Sequence, residues 1–195
     1  MNKIIAMVGM TGGGKTVISD YLADKGFKFL RFGQITLDIL KEKKLKPTEE
    51  NEVKIREGIR KKHGMGCFAI LNLPKIENLL KNGDVVIDGL YSWSEYKILK
   101  EKFKDNLTVV AVYASPKIRY YRLDKRKLKR DDTKLRSRPM TYEQAKSRDY
   151  AEIENIEKGG PIAMADFTIM NQGTIEELYK KVEDVLNGIR KKERV

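Results

Sequence analysis

The chain has 195 residues, of which 41% are hydrophobic and 35% charged, and it carries a formal charge of +12. That length suffices for one domain with a buried core, and no apolar run approaches the roughly 18 residues of a membrane span. A lone cysteine, Cys67, excludes an intrachain disulfide and fits a reducing, cytoplasmic setting, and a lone histidine, His63, rules against a histidine-rich metal site or a Ser–His–Asp triad. The positive charge points to anionic partners, either a phosphate-rich small molecule or RNA, beside the plain alternative of a lysine-rich solvated surface.

Apolar runs and amphipathic stretches alternate along the chain. Residues 3–8 (KIIAMV) read as a buried strand, 15–26 as a helix stopped by Gly26, and 27–32 (FKFLRF) as a second strand. Helices follow over 34–45 and 47–63, parted by Pro47, and over 67–83, kinked or restarted at Pro74. Residues 84–89 (DVVIDG) form a strand, 92–103 a helix and 107–114 a strand. A helix over 116–130 starts with Pro116 in its first turn, the polar stretch 131–140 is a loop, and Thr141 and Gln144 open a helix over 141–159 at capping-box spacing. Residues 165–170 make the last strand and 174–192 a terminal amphipathic helix. Strands alternating with helices predict a parallel sheet covered on both faces. The expected fold is a three-layer α/β/α domain spanning 1–195, with a five-stranded parallel sheet.

Residues 9–16, GMTGGGKT, stand between a strand and a helix and satisfy GxxxxGK[ST] at Gly9, Gly14, Lys15 and Thr16. Backbone N–H groups can converge on a phosphate only where the residues are small, and the following helix N-terminus adds a positive dipole end. The loop from Gly9 through Met10, Thr11, Gly12, Gly13 and Gly14 to Lys15, Thr16 and Val17 is therefore expected to bind a nucleotide. Lys15 bridges its terminal phosphates and Thr16 holds Mg²⁺. Asp88, at the end of the strand 84–89, is placed to be the second metal residue.

With these motifs the sequence resembles the nucleoside-monophosphate-kinase branch of P-loop proteins, including adenylate kinases and dephospho-CoA kinases. It is most similar to a mainly archaeal group of kinase-like proteins related to both. The resemblance covers most of the chain: GMTGGGKT, RFGQITLDIL, EENEVKIREGIRKKHGMGCFA, VVIDGLYSWSEYK, VVAVYASPKIRYYRLDKRKLKRDD and ADFTIMNQGTIEEL. It implies a P-loop NTPase fold with the sheet in the order 2-3-1-4-5, and an ATP- and Mg²⁺-dependent kinase in which segment 34–80 binds the phosphate acceptor and segment 126–148 is the lid. Lid arginines, by this resemblance, neutralise the transferring phosphoryl group. Arg126 and Arg130 are the catalytic candidates beside Lys15 and Asp88. Arg122 shares a helical face with Arg126, and Arg136, Arg138 and Arg148 complete the set on the substrate side. Arg56 and Arg60, one helical turn apart, are candidates to grip an acceptor phosphate, and Gly33 and Gln34 begin the acceptor segment. Asn171 and Gly173 match the turn that packs against adenine in this branch.

The departures narrow the acceptor. Adenylate kinases have a Gly–Asp pair after the second strand, where this chain has Gly33–Gln34, and an arginine soon after the metal-strand Asp–Gly, where it has Leu90, Tyr91 and Ser92. Dephospho-CoA kinases carry acidic residues just after the second strand, and RFGQ has none. A hydroxyl acceptor benefits from a carboxylate base, whereas a phosphate acceptor is already ionised. The expected activity is phosphoryl transfer to a small phosphorylated or nucleotide-like acceptor. The alternatives are a nucleotide-switched, RNA-associated ATPase, for which the chain lacks a recognisable RNA-binding module, and a protein that binds ATP without turnover.

Overall fold

The computed structural model describes residues 2–127 and 139–192. Five parallel strands form one sheet: β1 (Ile4–Val8), β2 (Lys28–Arg31), β3 (Val85–Asp88), β4 (Leu107–Tyr113) and β5 (Phe167–Met170), in the spatial order β2-β3-β1-β4-β5. The order is the expected one. Each strand is followed by a helix: α1 (Lys15–Asp24), α2 (Gln34–Glu42) with α3 (Glu49–His63) and α4 (Cys67–Leu80), α5 (Trp93–Phe103), α6 (Pro116–Asp124) with α7 (Tyr142–Ile156) and α8 (Gly159–Ala163), and finally α9 (Ile175–Lys192).

The two faces of the sheet divide each strand's side chains by parity. From β1, Ile4, Ala6 and Val8 join Phe68, Ala69 and Ile76 of α4 and Tyr96, Leu99 and Phe103 of α5 in one core. Ile5 and Met7 join Ile18 and Leu22 of α1 and Leu178, Val182 and Leu186 of α9 in the other. Every residue of β1 is buried, as a central strand covered on both faces must be. This double cover brings the C-terminal ends of β1, β2 and β3 together, with Met7 and Arg31 both level with Asp88.

Three expectations are corrected by the chain's own geometry. The helix expected over 116–130 ends at Asp124, because the carbonyl of Leu123 accepts from the N–H of Met140 at 3.2 Å and draws the chain away; Arg126 lies past the helix and does not share a helical face with Arg122. The 141–159 helix keeps its capping box at Thr141 and Gln144 but stops at Ile156, where Glu157 turns left-handed with φ 53°, and the separate helix α8 follows. Helix α2 closes at Glu42, two residues before Lys44 takes a positive φ of 53°. Helix α4 runs through Pro74 without a restart. Among the described residues, no helix is long and apolar enough to cross a membrane.

Candidate functional site

The loop after β1 needs glycine for two separate reasons. Gly9, Gly12 and Gly14 have φ values of 136°, 80° and 104°, where an L side chain is strained. There is also no room: a Cβ on Gly9 would stand 2.4 Å from the Val112 carbonyl oxygen, and one on Gly14 would collide with the Asn171 amide nitrogen. The loop is wrapped around Lys15, whose Nζ donates to the carbonyls of Gly9 at 2.7 Å and Met10 at 3.0 Å. Burial, then the nearby Lys158, pull the Lys15 pKa down to about 7, against the opposing pull of Asp88 and Glu152. An anionic phosphate at the loop would restore full charge to this ammonium.

Thr16, one residue into α1, donates from Oγ1 to Asp88 Oδ2 at 2.9 Å. The sequence places these residues 72 positions apart, and the β1–β3 pairing closes that distance. A hydroxyl beside a carboxylate, with phosphate oxygens arriving from the loop, suits Mg²⁺, which keeps several waters and takes few protein oxygens. Among the described residues, no group of three or more His, Cys, Asp or Glu is placed to hold a metal ion, so the donor set does not suit a metal held by protein alone.

The loop opens into a cavity of about 1000 Å³. Its walls hold Thr11, Gly12, Gly14, Lys15, Thr16, Val17, Gly33, Arg56, Arg60, Asp88, Arg126 and Arg148 from the residues singled out by the sequence. Arg56 and Arg60 differ in state. Arg56 is engaged by Glu49 at 2.8 Å and Glu52 at 3.3 Å. Arg60 lies over the Phe68 ring at 5.5 Å, and its Nε is buried without a hydrogen-bond partner among the described residues. Burial and the charge of Arg148 lower the pKa of Arg126, so these two cations repel each other across space that an anion would fill.

Other sequence-predicted residues do not line this cavity. Gln34 donates to Asp38 one turn along α2. Arg122 donates to the backbone carbonyl of Asn171 at 3.0 Å, and the Asn171 amide donates to the Gly13 carbonyl at 2.8 Å, so this pair braces the glycine loop from the β5 side. Gly173 is exposed beside Glu177. Arg130, Arg136 and Arg138 lie outside the described residues.

Several site residues were not singled out by the sequence. Tyr91 roofs the cavity, and its hydroxyl occupies the space a Cβ on Gly33 or Gly89 would need, at 3.2 and 2.7 Å. Arg31 and Thr36 line the wall after β2, and the Thr36 hydroxyl is buried without a hydrogen-bond partner among the described residues. Glu152 accepts from Arg148 Nε at 3.0 Å, a pairing that the i,i+4 spacing would have revealed. Lys158, fully buried, bonds to the other Glu152 oxygen. Arg119 of α6 donates to Asp149 of α7 through Nη1 at 3.0 Å and Nη2 at 2.6 Å, and to the Thr11 carbonyl at 3.0 Å, which ties the glycine loop to both helices.

With the glycine loop, the Thr16–Asp88 pair and the cavity in place, the comparisons identify the family. A family model described as the AAA domain matches residues 5–158. A UPF0200 protein of Sulfurisphaera tokodaii is 38% identical over 191 residues, covering 96% of this chain and 97% of the relative. The chain belongs to the UPF0200 family. A second UPF0200 protein, from Thermococcus kodakarensis, is 33% identical over 95% of this chain and 97% of its own length. Among solved structures, a shikimate kinase from Bacteroides thetaiotaomicron superposes with a TM-score of 0.59 at 13% identity, covering 96% of this chain and 98% of that one. A gluconokinase from Sinorhizobium meliloti gives 0.56 at 14% identity, covering 97% and 92%. The UPF0200 chain thus has the fold of P-loop kinases.

Proposed function

We propose that the protein is an ATP- and Mg²⁺-dependent phosphotransferase acting on a small phosphorylated or nucleotide-like acceptor. The observation that carries this reading is convergence: Lys15 and the Thr16–Asp88 pair open into the same cavity as Arg31, Arg60, Arg126 and Arg148. In this reading the loop N–H groups and Lys15 hold the β- and γ-phosphates, and Thr16 and Asp88 hold the metal. Mg²⁺, when bound, neutralises charge on the phosphates. Arg126 and Arg148 meet the transferring group, where donors fixed before reaction cost no reorganisation.

Three of the carboxylates that line the cavity favour an acceptor that is already ionised. Glu49 and Glu52 are taken up by Arg56. Burial would raise the Glu152 carboxyl, but Lys158 and Arg148 outweigh it and hold the group well below the usual carboxylate range. A carboxylate so stabilised is a weak base for a hydroxyl. The kinase names of the structural neighbours agree with the reaction type.

The test is ADP production from Mg·ATP against nucleoside monophosphates, dephospho-CoA, nucleosides, short RNA and a no-acceptor control. Acceptor-dependent ADP that disappears in Lys15→Ala is expected. ADP formed only with RNA, or at one slow rate whatever is added, overturns the reading in favour of an ATPase.

A further inference from the structure

Behind the cavity wall stands a charged group that the reading above does not use. Lys158 is fully buried, at the turn between α7 and α8. Burying an ammonium costs several kcal/mol unless it is paired, and a methionine fills similar volume at no such cost. The surroundings of Lys158 explain its retention. Its Nζ bonds to Glu152 Oε2 and lies 5.0 Å from the centroid of the Tyr91 ring. Its backbone N–H donates to the Glu152 carbonyl at 3.2 Å, so both ends of the residue are fixed on Glu152.

Glu152 is the carboxylate between Lys158 and the cavity. Its second oxygen, Oε1, accepts from Arg148 Nε at 3.0 Å. Arg148 lines the cavity, and its Nη1 approaches Glu49 Oε2 of α3 at 3.7 Å. The chain of contacts therefore begins in the core at Lys158 and ends at a guanidinium facing the place where phosphates would lie. A carboxylate on one helix turn holds a four-bond side chain loosely when it is solvated. Pinned from behind by a buried cation, it has a single position.

We propose that Lys158 and Glu152 are positioning residues for Arg148: Lys158 fixes the Glu152 carboxylate, and Glu152 fixes the Arg148 guanidinium toward the phosphoryl group. The effect on turnover rests on the phosphotransfer reading, while the effect on Arg148 does not. Neither Lys158 nor Glu152 need touch substrate, and so neither is a catalytic residue.

Lys158→Met alone leaves Glu152 less well paired and risks misfolding. The deciding variant is Glu152→Gln/Lys158→Met, which removes both charges together. Two measurements are made on it and on Arg148→Lys. The first is solvent exchange of the Arg148 Nε–H by NMR without substrate, which should quicken by about tenfold or more once its carboxylate partner is gone. The second is kinetics with whichever acceptor of the panel supports ADP formation in the wild type: kcat should fall on the order of 10²-fold with the KM for ATP little changed, and to a similar extent in Arg148→Lys. Wild-type exchange at Arg148 in the folded double variant overturns the proposal, whether or not the protein proves to be a kinase. Faster exchange with unchanged kcat shows that the clamp exists but serves stability alone, and likewise overturns the proposed role. Absence of transfer in the wild type defeats the phosphotransfer reading and the kinetic role with it, while the exchange result still decides whether the clamp holds Arg148.

Discussion

Replacing Arg119 by methionine tests how the glycine loop is held. Arg119 is 4% exposed and makes four donations: to the Ala114 carbonyl at 3.0 Å, to the Thr11 carbonyl at 3.0 Å, and to both oxygens of Asp149 at 3.0 and 2.6 Å. Asp149 is equally buried and would keep only the Tyr120 hydroxyl, at 2.9 Å, among these donors. Methionine preserves most of the volume, so the loss is electrostatic: breaking one side of a buried pair costs about 3–5 kcal/mol. For a chain of this size each kcal/mol moves Tm by about 2–4 °C, which gives a fall of about 6–20 °C. Differential scanning calorimetry at pH 7 on nucleotide-free protein measures it. A companion, Arg119→Met/Asp149→Leu, removes the stranded charge and should recover roughly 1–3 kcal/mol of the loss. Freeing the Thr11 carbonyl should also loosen the loop, so nucleotide affinity should drop in the double variant despite its regained stability. A single variant within about 1 kcal/mol of wild type, the range of exposed ion pairs, would refute the view that Arg119 anchors the loop.

Three further outcomes are expected. Glu95 is fully buried, caps α5 by accepting from the Tyr91 and Ser92 N–H groups, and is pushed up to about 7 by burial, so the folded state binds its proton more tightly than the unfolded state with pKa 4.5. Its contribution is therefore most favourable below pH 4.5 and is lost as pH rises toward 7; urea unfolding of Glu95→Gln should lack that decline and show the variant gaining on wild type between pH 5 and pH 8. Gly14→Ala meets both a φ of 104° and the Asn171 amide, and titration calorimetry should find nucleotide binding weakened by about tenfold or more. Asp88→Asn keeps the acceptor for the Thr16 hydroxyl but removes the charge, and should raise the Mg²⁺ concentration needed for half-maximal turnover with nucleotide affinity in EDTA little altered.

Much of the site was legible before folding because its chemistry is local. Gly9 to Thr16 form one contiguous motif, and Asp88 announces itself by ending an apolar run. Arg126, Arg148 and Arg60 belong to segments whose place was implied by the resemblance to P-loop kinases. Errors arose where one distant bond decides an element: the carbonyl of Leu123 taken by Met140, which ended α6 early and separated Arg122 from Arg126.

The sequence by itself determined the parallel sheet and the phosphate loop, since these follow from hydrophobic period and from backbone geometry that only glycine permits, while the strand order came with the resemblance to P-loop kinases. Tertiary structure alone decided the state of each charge. Nothing local distinguishes Lys158 from a score of solvated lysines, yet it is fully buried against Glu152. Nothing local marks Arg119 as an anchor, or shows that Glu49 joins Glu52 on Arg56 while the Arg60 Nε has no hydrogen-bond partner among the described residues. Hydrophobic pattern reports which way a side chain faces, but the partner of a charge is fixed only when separate helices pack.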